Sequence, residues 1–586
     1  MKRNFFEAEV VSCVQLLAGL FKIEFRAGQP LNVLPGQFIV LQSLCPENIW
    51  GRPFAVAWEE ENNFTIIFEV KGKNTKKYSE LKRGEKIKII GPLGKSLAID
   101  FANDHNIFVA GGIGMSGLRF VINNQAEKPH HPFHVYFGAK KQEFIYCLLP
   151  KNLKKYAAVK TITDEEGMVT DLLEKNMLKI LNRFKLVKII ACGPEAMLRK
   201  TAQIAEKWGV PCQIMMETLM ACGVGSCKGC VIPKIGGGNF HLCQDGPALP
   251  AEMVDWEKLE RPSVIVSSEN RRPVEEINME TVLIGQGGRK LILPSPIIID
   301  SGCFTADAAI NGPVDLTGVG AITSKGTTYN DQMGNQGPRV CETPMGMLNS
   351  IGLENIGLKT FIEKDLIQLK SLGKTVIANI SASTAEEFAS MAFILHEAGV
   401  KITVLNVSCP NKAKDKRIFG MFKEDTFEVT QAVRKEVGDD VFVIVKLTPM
   451  ASDVIEVAMA AEQAGADALI GFNTYLGMKI NLLSRQPAIA NIFGGESGSS
   501  AMARNLRLVY LVCQKVKIPV VASTGITCGN DAAEYIIAGA QAVSIGAGIF
   551  SNPKVAPETF YGLREIVASY GMSDIKELVG SLILNK

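Results

Sequence analysis

Four cysteines constrain this chain more than any other feature. Cys222, Cys227, Cys230 and Cys243 stand in ACGVGSCKGCVIPKIGGGNFHLC with the spacing C-x4-C-x2-C-x12-C. Three thiols gather on one glycine-rich loop and a fourth returns after a short excursion, a pattern that holds a plant-type [2Fe–2S] group. Gly223, Gly225 and Gly229 suit a loop wrapped around an inorganic core, because glycine reaches positive φ and close approach with no Cβ to clash. A structural zinc knot uses two C-x2-C pairs, and only Cys227 and Cys230 stand in that relation. A one-electron centre needs redox partners on either side, and the rest of the chain reads as those partners.

Bulk properties narrow the class. The 586 residues are 47% hydrophobic, enough for large cores in about three to five domains. A net charge of +3 makes no case for nucleic acid or an anionic membrane. MKRNFFEAEVVSC does not read as an export signal, and no stretch reaches the length of apolar residues that spans a bilayer. The expectation is a cytoplasmic protein whose fourteen cysteines are free thiols, ligands or a catalytic residue.

Residues 1–98 alternate short strands with turns (FEAEVVSCVQL, LFKIEFRA, QFIVLQSL, FTIIFEVKG, KIKIIGPLG), which predicts a small antiparallel β-barrel. Arg52-Pro53 offers a rigid backbone and a guanidinium fork suited to a diphosphate. Residues 99–208 predict an α/β nucleotide domain with a parallel sheet. Gly111, Gly112 and Gly114 form a strand-to-helix turn where a phosphate can meet a helix N-terminus. Cys192, Gly193 and Pro194 end a later strand at the carboxyl edge, where open α/β sheets bind ligands.

In order, RPFA, GPLGKSL, VAGGIGMSGL, ACGPEAML and METLMACGVGSCKGC resemble the ferredoxin-reductase-like superfamily, and the cysteine loop resembles the electron-transfer subunit of type B dihydroorotate dehydrogenase. The resemblance covers residues 1 to about 260 and implies a ferredoxin-reductase-like fold followed by a small [2Fe–2S] domain at 209–262. It implies FAD contacts from Arg52, Pro53, Phe54, Ala55, Ile67, Phe68, Glu69, Asn74 and Thr75, NAD as acceptor, and the four cysteines as iron ligands. The chain departs from the family at Ala55 (Ser), Asn74 (Gly), Glu69 (often Arg) and Gly117 (Pro). A carboxylate beside a diphosphate is unfavourable, so Glu69 is expected to point away or contribute backbone only.

Mixed charge and two proline patches place a linker at 263–278. Beyond it, residues 279–586 repeat an apolar strand and an amphipathic helix eight times, which predicts a TIM (β/α)8 barrel. Polar residues cluster where strands end: Ser301, Lys325, Asn379, Asn406, Cys409, Lys446, Asn473 and Ser523. A ligand explains this recurrence better than packing does. Gly525 and Gly546 follow the last two strands, the usual phosphate corner of the fold.

IIIDSGCF, SKGTT, GMLNSIGLEN, LNVSCPN, VKLTP and FNT resemble the catalytic subunit of class 1 dihydroorotate dehydrogenase over 280–586. The resemblance implies oxidation of dihydroorotate to orotate, with Cys409 as base. It implies that Lys325, Asn349, Ser350, Ile351, Gly352, Leu353, Asn406, Asn473 and Thr474 hold the pyrimidine, and Asn411 flanks the base. FMN would be lined by Ser301, Lys325, Gly326, Asn379, Asn406, Lys446, Phe472, Gly498, Thr524, Gly525, Gly546 and Ala547. Departures are Thr524 for Gly, Ala547 for Thr and Phe472 for Ile. The implied electron path runs FMN, [2Fe–2S], FAD, NAD+, within a homodimer joined through the barrels. Two alternatives stay open: reduction of another pyrimidine such as uracil, whose fusions usually carry C-x2-C-x2-C-x3-C clusters absent here, and an electron-transfer module that turns over no pyrimidine.

Overall fold

The structure, a computed structural model, describes residues 4–44, 50–100, 103–126, 133–151, 153–218, 220, 222–223, 225–259, 271–310, 313–408 and 418–584. Residues 1–261 and 262–586 form two units.

The first unit opens with an antiparallel sheet of seven strands in the order Arg52–Ala55, Phe38–Leu41, Lys86–Leu93, Asn4–Leu17, Leu20–Arg26, Asn63–Glu69, Trp58–Glu60. Alternation drives it: in Leu20–Arg26 the apolar Leu20, Ile23 and Phe25 are buried while Arg26 faces water. The sheet curls over its own core of Val10, Phe25, Ile39, Ile66 and Ile89. Phe54 on one edge strand lies 5.5 Å from Phe68 near the opposite edge. Among the described residues the two edge strands share no ladder. The expected barrel is thus closed by side chains and not by hydrogen bonds. Arg52–Ala55 is an edge strand, where Pro53 costs no ladder bond on its outer side.

Next comes a six-stranded sheet in the order Ala157–Thr163, Phe133–Ala139, His105–Gly111, Val187–Cys192, Cys212–Met215, Ala248–Pro250. All neighbours are parallel except the last pair. His105–Gly111 is buried at every position, as a central parallel strand must be. The antiparallel edge is formed by chain returning from the cysteine loop.

The second unit is a closed parallel barrel. Its strands are β1 (Ile297–Ile299), β2 (Ala321–Thr323), β3 (Thr375–Ile380), β4 (Ile402–Leu405), β5 (Phe442–Lys446), β6 (Ala468–Gly471), β7 (Val520–Ser523) and β8 (Ala542–Ile545). All eight strands expected from the sequence are present. Ile298, Ile377, Val404, Phe442, Ile444 and Ile470 fill the interior. A hairpin not foreseen, Thr281–Ile284 with Lys290–Leu293, adds Leu283, Leu291 and Leu293 to that core. Two excursions, after β2 and β6, meet in a four-stranded sheet of Val340–Thr343, Gly346–Asn349, Gly494–Gly498 and Tyr475–Gly477. No helix among the described residues is long and apolar enough to cross a membrane.

Candidate functional site

The cysteine loop pairs two thiols directly and ties the other two cysteines through a backbone amide. Cys230 and Cys243 are buried with their Sγ atoms 3.2 Å apart. Cys222 Sγ accepts from the Cys227 amide at 3.4 Å. Among the described residues no three His, Cys, Asp or Glu side chains converge on a single metal position. A two-iron group, however, asks for two thiolates on each iron, which is a demand for two pairs. The amides of Gly229 and Cys243 donate to Cys227 Sγ and Cys230 Sγ at 3.4 Å each, bonds that favour the thiolate. Burial, then the neighbouring Cys230, push the Cys243 thiol up to about 12. Only a bound cation would reverse that. The donor set fits iron–sulfur ligation.

Glycine is needed at two of the three expected positions. Gly223 and Gly225 adopt φ of +67° and +89°, and a Cβ on Gly225 would lie 2.2 Å from the Gln244 carboxamide. Gly229 is not left-handed; Lys228, at φ +56°, takes that turn, and Gly229 contributes its amide. The thiol pairing orients the loop, so the reversal falls one residue earlier than the glycine pattern suggests.

The nucleotide edge brings its two turns together. His105–Gly111 and Val187–Cys192 are adjacent parallel strands, so both turns leave the same edge. A Cβ on Gly111 would stand 2.8 Å from Pro194 Cδ, and one on Gly114 2.3 Å from the Cys192 carbonyl oxygen. Gly112, at φ +51°, has open space where a Cβ would stand, at the turn into the Gly114–Ala126 helix where an anion can approach. A Cβ on Gly117 would lie 3.1 Å from Cys192 Sγ and 3.7 Å from Ala55 Cβ, so the Arg52–Ala55 strand meets this edge. The Cys192 thiol is pushed up to about 12 by burial and then by Glu217.

The other flavin candidates are spent locally to different degrees. Arg52 Nη1 donates to the Trp50 carbonyl at 2.8 Å. Glu69 is neutralised by Lys71 at 3.4 Å. Ile67 and Phe68 are buried, leaving backbone to offer. Thr75 caps its helix: Oγ1 accepts from the Lys71 and Gly72 amides at 2.9 and 3.0 Å. Asn74 Oδ1 accepts from Ser43 Oγ and the Leu44 amide, while its buried Nδ2 has no partner among the described residues. A nucleotide-bound flavin fits the open turn at Gly112 and this orphaned amide.

At the barrel mouth, period-two alternation carries polar side chains up from the core. Ile298, Ile377, Val404 and Ile444 face inward, so Asp300, Asn379, Asn406 and Lys446 two residues on share that side. Asn379 Nδ2 donates to Ser301 Oγ at 2.5 Å, while its buried Oδ1 lacks a partner among the described residues. Thr323 Oγ1 and Ser544 Oγ are also buried and, among the described residues, unpartnered. Lys446 Nζ donates to both carboxylate oxygens of Asp300, at 2.8 and 3.0 Å. A Cβ on Gly326 would lie 3.4 Å from Leu353 Cδ2, 3.6 Å from Asn379 Nδ2 and 3.8 Å from Asn406 Nδ2, so these four converge. Ser408 Oγ donates to Asn406 Oδ1 at 2.8 Å and accepts from Asn473 Nδ2. Thr474 donates its amide to Asn473 Oδ1 at 2.8 Å and holds its hydroxyl where a Cβ on Gly495 would collide. Lys325 is exposed.

The four-stranded sheet holds the Asn349–Leu353 segment. Asn349 Nδ2 donates to the Gly495 carbonyl at 3.1 Å, and Ser350 accepts from Asn335 and Asn491. Ile351 donates nothing by side chain, but its carbonyl receives the Asn335 amide at 3.0 Å. Gly352 and Leu353 are both left-handed, at φ +77° and +55°. Beyond β7, Thr524 and Gly525 adopt φ of +83° and +79°, and a Cβ on Gly525 would lie 3.3 Å from the Gly498 carbonyl oxygen. Successive left-handed amides beside glycines suit an anion. A Cβ on Gly548, just past Gly546 and Ala547, would lie 2.8 Å from the Ile526 carbonyl, so the last two loops touch. Phe472 departs from expectation: its ring packs in the layer between strands and helices, where a large apolar group is best buried. Its carbonyl accepts from Ser523 and Thr524 hydroxyls at 2.7 and 3.1 Å. The glycine cradle and orphaned polar atoms fit a flavin mononucleotide. Cys409 and Asn411 lie outside the described residues. Asp300 and Ser408 were missed from sequence, though inward alternation from Ile298 could have found the first.

Residues 289–567 match the dihydroorotate dehydrogenase family, and residues 217–255 match the iron–sulfur cluster binding domain of dihydroorotate dehydrogenase B. The chain is 44% identical over 296 residues to the catalytic subunit of dihydroorotate dehydrogenase B (NAD(+)) of Thermoanaerobacter pseudethanolicus, covering 50% of this chain and 97% of that protein. It belongs to the dihydroorotate dehydrogenase family. The corresponding subunit of Brachyspira hyodysenteriae is 41% identical over 290 residues, covering 49% of this chain and 95% of that protein. A solved NADH-dependent reduced ferredoxin-NADP oxidoreductase chain shares 26% identity at a TM-score of 0.38, covering 43% of this chain and 91% of its own. Matches to an iron–sulfur domain and a catalytic domain therefore follow one another in a single polypeptide. Each of these two relatives covers about half of this chain.

Proposed function

We propose that the chain oxidises dihydroorotate to orotate and delivers the electrons to NAD+. The convergence of Gly326, Leu353, Asn379 and Asn406, continued through Ser408 to Asn473, carries this reading. Carboxamides offer both donors and acceptors, as the imide and carbonyl edges of a pyrimidine require. Asn406, Asn473, Thr474, Asn411, Lys325 and the Asn349–Leu353 segment orient the ring. Cys409 takes the proton from one ring carbon. FMN, FAD and the [2Fe–2S] group, when bound, supply hydride acceptance, hydride delivery and one-electron relay. Ser301, Asn379, Lys446 and the Thr524–Gly525 turn hold the first, the Arg52–Ala55 strand and Asn74 the second, and the four cysteines the third. The working boundaries are 1–98, 99–208, 209–262 and 279–586, joined by a linker at 263–278. The enzyme acts in the cytoplasm as a homodimer joined through its barrels.

Anaerobic mixing with dihydroorotate tests the proposal. The expected result is bleaching of flavin absorbance, NADH formation on adding NAD+, and a loss of at least a hundredfold in rate for Cys409→Ser. Bleaching by NADH without any response to dihydroorotate or orotate would leave an electron-transfer module and overturn the proposal.

A further inference from the structure

Of the charge pair inside the barrel mouth, Lys446 is among the flavin contacts above, while Asp300 has no part in them. Asp300 and Lys446 rise from β1 and β5, which are not neighbours in the ring. Their side chains are only 14% and 6% exposed, and both carboxylate oxygens lie within 3.0 Å of the ammonium. Asp300 is itself held in place. Its Oδ1 accepts the Ser301 amide at 2.8 Å, and a Cβ on Gly546 would lie 3.8 Å from its Oδ2. It therefore bridges the lysine to the loop after β8. Lys446 is a buried lysine of the described polar layer of the mouth, the layer that also holds the orphaned Asn379 and Ser544 oxygens.

An ammonium aimed at a flavin ring stabilises the negative charge that the ring gains on reduction. A carboxylate bonded to the same ammonium through two oxygens cancels much of that field, and buried surroundings do little to screen either charge. We infer that Asp300 is a positioning residue that lowers the reduction potential of the barrel flavin by neutralising Lys446. This rests on the reading that the barrel holds FMN. The consequence is a flavin that accepts electrons from substrate but releases them readily to the next centre.

Asp300→Asn and Asp300→Ala in the full holoenzyme test it by spectroelectrochemical titration, with Asp300→Glu as the charge-preserving control. The expected result is a rise in one flavin potential only. At fixed poise, the reduced-to-oxidised ratio of that flavin should increase about tenfold, which is about 30 mV for a two-electron couple. Asp300→Glu should restore the wild-type value. In a Lys446→Gln background, Asp300→Asn should shift nothing, because the effect passes through the ammonium. Unchanged flavin potentials in both variants, with a lowered melting temperature, would make the pair structural and overturn the inference. Absence of FMN from wild-type protein would instead refute the functional reading.

Discussion

Asp467 is the residue whose loss the barrel should feel most. It is fully buried just ahead of β6, and its carboxylate accepts from Arg289 Nε at 2.8 Å, from Arg434 Nη2 and from the Val443 amide at 2.9 Å. The two guanidiniums are only 16% and 15% exposed. Burial already pulls Arg434 below its ordinary value, and Asp467 is the chief group opposing that. Asp467→Asn keeps the shape but removes the charge, and its amide NH2 would face a guanidinium donor. Breaking one partner out of a buried ion network costs about 3–5 kcal/mol. With an unfolding entropy of about 2.1 cal/mol/K per residue over roughly 300 residues, that is a fall of about 5–8 °C in the barrel transition. The assay has an internal control. Trp50, Trp58, Trp208 and Trp256 all lie in the first unit, so tryptophan fluorescence follows that unit, while far-UV circular dichroism also records the barrel. Asp467→Asn should lower the dichroism transition and leave the fluorescence transition in place. A barrel melting within 1 °C of wild type would refute the reasoning, since the carboxylate would then be contributing nothing beyond its shape.

Three further outcomes are expected. Gly225→Ala, with φ +89° and a Cβ 2.2 Å from Gln244, should purify with less than half the wild-type iron by colorimetric assay, while the barrel flavin stays bound. Thr524→Val keeps the branched side chain at φ +83° but loses the hydroxyl bond to the Phe472 carbonyl, and chemical denaturation should show a loss of about 1 kcal/mol; Thr524→Gly loses the same bond but sheds the strain, and should fall within about 1 kcal/mol of wild type. His134, paired with His105 at 2.7 Å, is held below its ordinary 6.5 by burial and then by Lys160 and Arg183. The folded state therefore binds this proton less well than the unfolded chain. Its contribution is complete above pH 6.5 and declines as pH falls below it, so tryptophan-monitored stability of the first unit should drop between pH 6.5 and 5, and His134→Gln should flatten that slope.

The cysteine spacing, the glycine turns and all eight barrel strands were legible in the sequence because each depends on local backbone chemistry. A left-handed turn and a two-residue alternation are written within a dozen positions, and the cysteine spacing within 22. What the sequence did not reveal is longer in range or opposed to local expectation. Arg52–Ala55 carries a proline, so its place as an edge strand follows only from pairing with Phe38–Leu41. Gly346–Asn349 and Gly494–Gly498 join across nearly 150 residues, and no periodicity announces that partnership. Phe472 ends an inward-reading strand, yet its ring belongs to the helix-facing layer. Asp300 reaches Lys446 over 146 residues, and Arg289 reaches Asp467 over 178. Barrel closure decides the Asp300–Lys446 pair, because only a closed ring of strands brings the ends of non-adjacent strands together at one mouth, while Arg289 reaches Asp467 from the hairpin that precedes the barrel. The elements and their chemistry were thus set locally by residue type, while the charges that balance one another inside the barrel were chosen by the fold.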